Sequence, residues 1–213
     1  MHLDQGVKRQ GRHAYQGAVY LEETTEHDYC FRVLKHSHKH HSDFFGTFPK
    51  AAVQTRRFEF LKLNRTQRHW YIDNGCSLVY VPVPKGGMVL WDSRTVHDTC
   101  PPECGRPDID KWRCVVFVSM TPAFWADEED MKFKKNSYYN MQLTSHWSSQ
   151  GQTTLSNYNA KKRKIDGKMV DPLSIDELLA VAQTRETKRL MGIERYNFND
   201  KRPNGPRKPV WIS

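Results

Sequence analysis

The sequence predicts a mainly β fold with a C-terminal helical and extended appendage, and three observations lead there. Between Tyr15 and Pro122, short apolar runs rich in β-branched and aromatic residues alternate with turn residues. Strand periodicity stops after Trp125. A helix-capping pattern then follows Pro172, ahead of a proline-rich end.

The strand candidates in order are residues 17–21, 29–34, 77–81, 87–91 and 113–119, the signature of a β-sandwich or barrel. Residues 56–63 fit either a strand or a short helix. Turns are expected at Asp73, Asn74 and Gly75 and again over 82–87, where glycine supplies a positive φ that other residues resist. An acidic start at 127–130 leads into aromatic and polar sequence through Tyr138, Tyr139, His146 and Trp147. The helix expected over 174–191 has a capping box of Ser174 and Glu177, an apolar face of Ile175, Leu178, Leu179 and Ala182, and a stop at Gly192. Residues 199–213, with Pro203, Gly205, Pro206 and Pro209, read as an extended tail. The expected organisation is therefore a core over 1–125, a capping segment over 126–157 and a basic extension over 158–213.

Composition narrows the class. The chain has 213 residues, with 33 Lys and Arg against 24 Asp and Glu, which favours one compact domain plus appendages over a multidomain machine. Aromatic residues make up 12%, enough to build a core and to exclude a disordered class. No apolar run approaches the roughly 20 residues of a bilayer span, and residues 1–10 lack the apolar core of a signal peptide. Five cysteines at irregular spacing fit thiols in a reducing compartment, so an intracellular protein, cytoplasmic or nuclear, is expected. Residues 158–213 hold 13 basic and 7 acidic side chains, so the positive surplus sits mainly in the tail.

Chemistry concentrates at His2 and Asp4 and, far downstream, at His97. Two histidines and a carboxylate are the ligands of the facial triad that holds ferrous iron and leaves other positions open. Alternate residues of a strand point to one side, so His2 and Asp4 can converge on one ion while His97 arrives from another strand. By itself the His-x-Asp pair is a weak signal.

The run from Pro84 through Gly86, Gly87, Trp91 and Asp92 to His97, followed by Arg113 at the head of the next strand, resembles the distal half of the phytanoyl-CoA dioxygenase-like family of iron(II)- and 2-oxoglutarate-dependent oxygenases. A third likeness is the strand with Glu22 and Glu23 leading to Ser37, His38 and Lys39, which looks like the family's "GSHK" loop with His36 in the glycine position. The resemblance covers about residues 2–122. It implies a double-stranded β-helix core, jelly-roll and cupin-like, with Fe(II) held by His2, Asp4 and His97 and with Arg113 on the far carboxylate of 2-oxoglutarate. Arginine suits that task because its planar fork makes paired charge-assisted hydrogen bonds and keeps its proton. Arg106, in a turn-like stretch, is the less suitable candidate. Arg113, Val115, Phe117 and Ser119 share one face of the last core strand, expected to be the inward one. The implied reaction consumes O2, releases succinate and carbon dioxide and hydroxylates substrate, with ascorbate as an accessory reductant. The carboxylate at Asp4 favours hydroxylation over halogenation.

The family places a long segment ahead of its His-x-Asp, whereas His2 follows Met1 here. The expectation is a shortened form, elements supplied from elsewhere, or a frayed first metal strand.

Other clusters have plainer readings beside the functional one. His36, His38, His40 and His41 could bind metal or form a structural turn with solvated rings. Cys100 and Cys104 have a zinc-like separation without the second pair that a closed site needs, so free thiols are expected. Asp92 and Arg94 could support the metal ligands or form an ordinary ion pair. Thr144–Trp147 could line a substrate mouth or cover one end of the barrel. The basic run 161–164 could be a nuclear import signal, a nucleic-acid contact or a solvated surface.

Three functions stay open at this level: an oxygenase acting on a small-molecule or lipid-like substrate, a non-catalytic β-barrel module that binds through its basic tail, and an oxygenase whose tail delivers nucleic acid.

Overall fold

The computed structural model describes residues 1–155, 163–171, 180–201 and 205–212. The chain divides into two compact units, residues 1–119 with 209–213 and residues 120–208.

The first unit contains β1 (His2–Leu3), β2 (Tyr15–Tyr20), β3 (Phe31–Lys35), α1 (His41–Thr47), α2 (Pro49–Phe58), β4 (Leu61–Lys62), α3 (Arg65–Asp73), β5 (Ser77–Val81), β6 (Met88–Asp92), β7 (His97–Thr99) and β8 (Val115–Met120), whose last residue falls in the second unit. One sheet runs β4-β1-β7-β3-β5 and the other β6-β2-β8. The pairs β1–β4, β1–β7, β3–β7, β3–β5 and β2–β6 are all antiparallel.

Strand parity sorts the core into two clusters. Leu3, Leu34 and Val96 face Phe44, Phe45, Ala51 and Tyr71 of the three helices, so one side of the larger sheet is covered by α1–α3. The opposite side meets the smaller sheet through Phe31, Ala18, Tyr20, Val83 and Trp91, with Val33, Val81, Val89 and Val115 around them. His2 and Asp4 flank Leu3 in sequence and therefore belong to this inner, sheet-on-sheet side. Burying a leucine as completely as Leu3, at 0% exposure, contributes about 2–3 kcal/mol, which fixes β1 by its helix-facing side.

The five expected strands are present, with ends shifted by up to two residues. Residues 56–63 are both things: α2 ends at Phe58, Glu59 turns the chain at φ +57, and β4 follows. Gly75 and Gly86 take the positive φ expected at their turns. Three helices between β3 and β5 correct the all-strand expectation for this region. The local reasons are in the sequence: Pro49 opens α2, where its missing N–H costs nothing, and Asn64 and Gln67 form a reciprocal capping box on α3. A second correction concerns β8. Val115 packs inward, yet Phe117, whose ring lies 5.4 Å from the Arg113 guanidinium, is 66% exposed, so the face these residues share is not buried along its length.

The second unit contains α4 (Glu128–Tyr139), β9 (Arg163–Ile165), β10 (Lys168–Val170) and α5 (Arg185–Leu190). α4 is capped by Asp127 and Asp130, whose side chains each accept from the other's backbone N–H. Trp147 is buried, with the His146 ring 4.8 Å away. The β9–β10 hairpin turns through Asp166 and Gly167, both at positive φ, as a two-residue hairpin turn requires. Of the helix expected over 174–191, residues 174–179 lie outside the described residues. The rest corrects the expectation of one continuous helix: a 3-10 turn over Ala180–Gln183 gives way to Thr184, which is extended at ψ 153 and caps α5 afresh by accepting from the Thr187 N–H. Gly192 stops it at φ +75. Lys161 and Lys162 of the basic run also lie outside the described residues. Among the described residues, no helix is long and apolar enough to cross a membrane.

Candidate metal centre

His2 and His97 are direct Cα partners across the β1–β7 pair, so sheet register brings these distant residues together. Their ring centroids are 4.3 Å apart. Asp4 completes the cluster, with Oδ1 3.6 Å from His2 Nε2 and Oδ2 3.4 Å from His97 Nε2. One ligand atom from each of the three residues lies within 4.8 Å of the others, which is the spacing at which a single ion can be shared; among the described residues this is the one group of three or more metal-ligating side chains so arranged.

Electrostatics favour a cation there. His97 is buried, and its Nδ1 lies 2.9 Å from the Thr95 carbonyl, which only accepts, so Nδ1 carries a proton. In the neutral ring Nε2 is then a bare lone pair facing a carboxylate oxygen. A positive ion between them turns that repulsion into coordination. Burial, and then the neighbouring His97, lower the His2 pKa to about 4, so at neutral pH this imidazole offers a lone pair as well. Phe31 and Trp91 pack against the His97 ring at 5.7 and 5.0 Å, and Phe60 against His2 at 5.2 Å, which restrains both rings and excludes water from one side.

Two neighbours of this cluster escape a reading of the sequence. Gln16 donates from Nε2 to Asp4 Oδ2 at 3.0 Å, and Trp91 Nε1 donates to Gln16 Oε1 at 2.9 Å. The signal for Gln16 is a polar residue at a buried position of an otherwise apolar strand, where it needs partners.

Arg113 stands just before β8, outside the three-residue cluster. Its Nη2 donates to the Tyr20 hydroxyl at 3.3 Å and its guanidinium lies over the Tyr20 ring at 5.3 Å. Tyr20 belongs to the same inner cluster as Phe31 and Trp91, the residues that pack on His97. Arg113 Nε is buried without a hydrogen-bond partner. A cationic donor left in that condition is a receptor for an anionic oxygen, so Arg113 fits a carboxylate. Arg106 has other work: it pairs with Asp28 at 3.0 Å and donates to the Ile109 and Lys111 carbonyls.

The remaining clusters take their plainer readings. His36 holds φ +74 in the position of the loop's expected glycine, and buried Ser37 accepts from the Val96 N–H at 2.9 Å, one residue before His97. His41 is buried against the Gln5 carbonyl. Asp92 and Arg94 close on each other through three hydrogen bonds. All five cysteines are free thiols, Cys100 buried and Cys104 exposed.

Comparison with known proteins agrees with this geometry. Residues 1–102 match the model of the phytanoyl-CoA dioxygenase family, whose members are typically iron(II)- and 2-oxoglutarate-dependent oxygenases. All three residues of the cluster fall inside the match and Arg113 falls beyond it. "Ava biosynthesis cluster protein O" of Aspergillus versicolor is 26% identical over 157 residues, covering 70% of this chain and 49% of the relative. The chain spans about half the length of that curated relative.

Proposed function

We propose that this chain is an iron(II)- and 2-oxoglutarate-dependent oxygenase that hydroxylates a small molecule, built on a double-stranded β-helix. The observation that carries the proposal is the convergence of His2, Asp4 and His97 within 4.8 Å, in the order and strand setting that the family resemblance implies. In this reading His2 Nε2, His97 Nε2 and the Asp4 carboxylate hold Fe(II), and Arg113, oriented by the Tyr20 hydroxyl, takes the far carboxylate of 2-oxoglutarate. When bound, the metal and cosubstrate supply the oxidation: O2 is consumed, 2-oxoglutarate becomes succinate and carbon dioxide, and a substrate C–H becomes C–OH.

The chain's own residues supply geometry and exclusion. Thr95 fixes the His97 tautomer, Phe31 and Trp91 keep that ring in place, and Ser37 pins the backbone entering β7. The name of the relative, a biosynthesis-cluster protein, supports a small biosynthetic intermediate as substrate.

The test combines binding and turnover. Anaerobic Fe(II) with 2-oxoglutarate should produce the weak visible band of the chelate, and the aerobic mixture with ascorbate should release succinate slowly even without substrate. His97→Ala should abolish both. A protein that binds neither Fe(II) nor 2-oxoglutarate at millimolar concentrations overturns the proposal.

A further inference from the structure

The cluster's orientation depends on a residue that is no ligand. We infer that Gln16 is a positioning residue that sets the rotation of the Asp4 carboxylate, and that the Trp91 indole sets Gln16 in turn; this inference rests on the metal-site reading above.

The chain of reasoning starts in the register of the smaller sheet. Gln16 and Trp91 are Cα partners across the antiparallel β2–β6 pair, so their side chains leave the sheet side by side toward the inner face. Both are buried, at 4% and 8% exposure, where an unpaired amide or indole N–H is costly. The indole nitrogen can only donate. Its 2.9 Å bond therefore requires the oxygen of the Gln16 amide, which turns the NH2 group toward Asp4 Oδ2 at 3.0 Å. Ordinarily the two ends of a glutamine amide can exchange, but here one donor-only neighbour decides which end points where.

The consequence falls on Asp4. One carboxylate oxygen is held by Gln16, and the plane of the group is fixed with Oδ1 toward His2 and Oδ2 toward His97. A carboxylate free to rotate could present both oxygens to an ion and take a position needed for cosubstrate. Held this way, it is confined to a narrower set of poses, and the ligand set is organised before any ion arrives. The same contacts explain why a strand that buries Ala18 and Tyr20 also buries a glutamine.

A double-mutant cycle on the full chain tests this with Mn(II) as the probe, its free concentration read by electron paramagnetic resonance. Gln16→Leu keeps the side-chain bulk and removes the donor; it should weaken Mn(II) binding on the order of 10–100-fold, the usual effect of losing a ligand's hydrogen-bond partner. Trp91→Phe keeps an aromatic ring against Phe31 and His97 but removes the N–H that orients the amide, and should weaken binding severalfold. In the Gln16→Leu background Trp91→Phe should have no further effect on Mn(II) affinity, because its influence passes through Gln16. Urea unfolding of each metal-free variant separates a change in fold from a change in the site. Unchanged affinity in either single variant, or losses that multiply in the double variant, would overturn the positioning role. A wild-type chain that takes up no Mn(II) would instead overturn the metal site, and this inference with it.

Discussion

Acid should loosen the metal-free protein through a histidine that is not a ligand. His41 is 4% exposed, sits edge-on to Phe45 at 5.0 Å and points Nε2 at the Gln5 carbonyl, 3.0 Å away. Burial lowers its pKa from 6.5 to about 4, against a smaller upward pull from the Gln5 bond. The unfolded chain takes a proton near pH 6.5 and the folded chain refuses it until about pH 4. The unfolded state therefore binds more protons in that window, and the stability His41 contributes is complete above pH 6.5 and lost as pH falls toward 4. At 1.36 kcal/mol per pKa unit the 2.5-unit gap amounts to about 3 kcal/mol.

His41→Gln isolates this contribution, because its longer amide reaches the Nε2 position and can still donate to the Gln5 carbonyl but does not titrate. Urea unfolding with a chelator present, at intervals from pH 7.5 to 4.5, should show the variant less stable at neutral pH through lost packing. The gap to wild type should then narrow by about 1.4 kcal/mol per pH unit below 6.5. His2 and His38, with lowered pKa values, and His27, raised by Glu103, are common to both proteins and cancel in the difference. Asp28, Asp92 and Asp98 sit below the ordinary carboxylate value of 3.8 and enter only at lower pH. Two curves that stay parallel from pH 6.5 to 4.5 would refute the reasoning.

Three further outcomes are expected. Arg113→Met should raise the 2-oxoglutarate concentration needed for half-maximal succinate release on the order of 100-fold, the equivalent of about 2–3 kcal/mol for a charge-assisted pair, while leaving Mn(II) affinity within a factor of two. His36→Gly should stabilise the fold by about 1 kcal/mol and raise the melting temperature, because the loop already holds φ +74 at this position; a lower melting temperature would show that the imidazole does something there. Ser37→Ala should cost about 1–3 kcal/mol in urea unfolding by stranding the Val96 N–H, and should also weaken metal binding through β7.

What the sequence disclosed follows from the range of the forces involved. Strands 77–81 and 87–91 are legible because alternation and a Gly-Gly turn are local signals, and they recur in β5 and β6 almost residue for residue. α3 and α4 carry equally local capping boxes, but their faces mix charged and aromatic residues and show little periodicity, so tertiary packing of Phe44 on Tyr71 does what propensity does not. His2 and Asp4 could be paired because strand parity is a two-residue rule, and His97 because the family order supplied the distance. Gln16, Trp91 and Tyr20 were beyond reach. Their contacts depend on the register of β2 against β6 and on Arg113 returning over Tyr20, pairings across 75 and 93 positions that no local pattern encodes.

That non-local origin also explains how so short a strand can place both His2 and the Asp4 that follows it. β1 has only two residues, yet it is paired on both sides, with His2 opposite Lys62 of β4 and His97 of β7, and Leu3 opposite Leu61. A central strand cannot slip by one residue without carrying Leu3 from the helix-facing core to the sheet-facing side and turning His2 and Asp4 away from His97. Hydrophobic burial on one face thus sets the approach of His2, Asp4 and His97 on the other. The positive φ of His36 lets the chain leave β3 sharply enough for Ser37 to reach the Val96 N–H, and that bond fixes where β7 begins. The arrangement of His2, Asp4 and His97 is therefore lodged in residues outside the cluster: Leu3 for register, Ser37 for the entry to β7, Thr95 for the tautomer and Gln16 for the carboxylate.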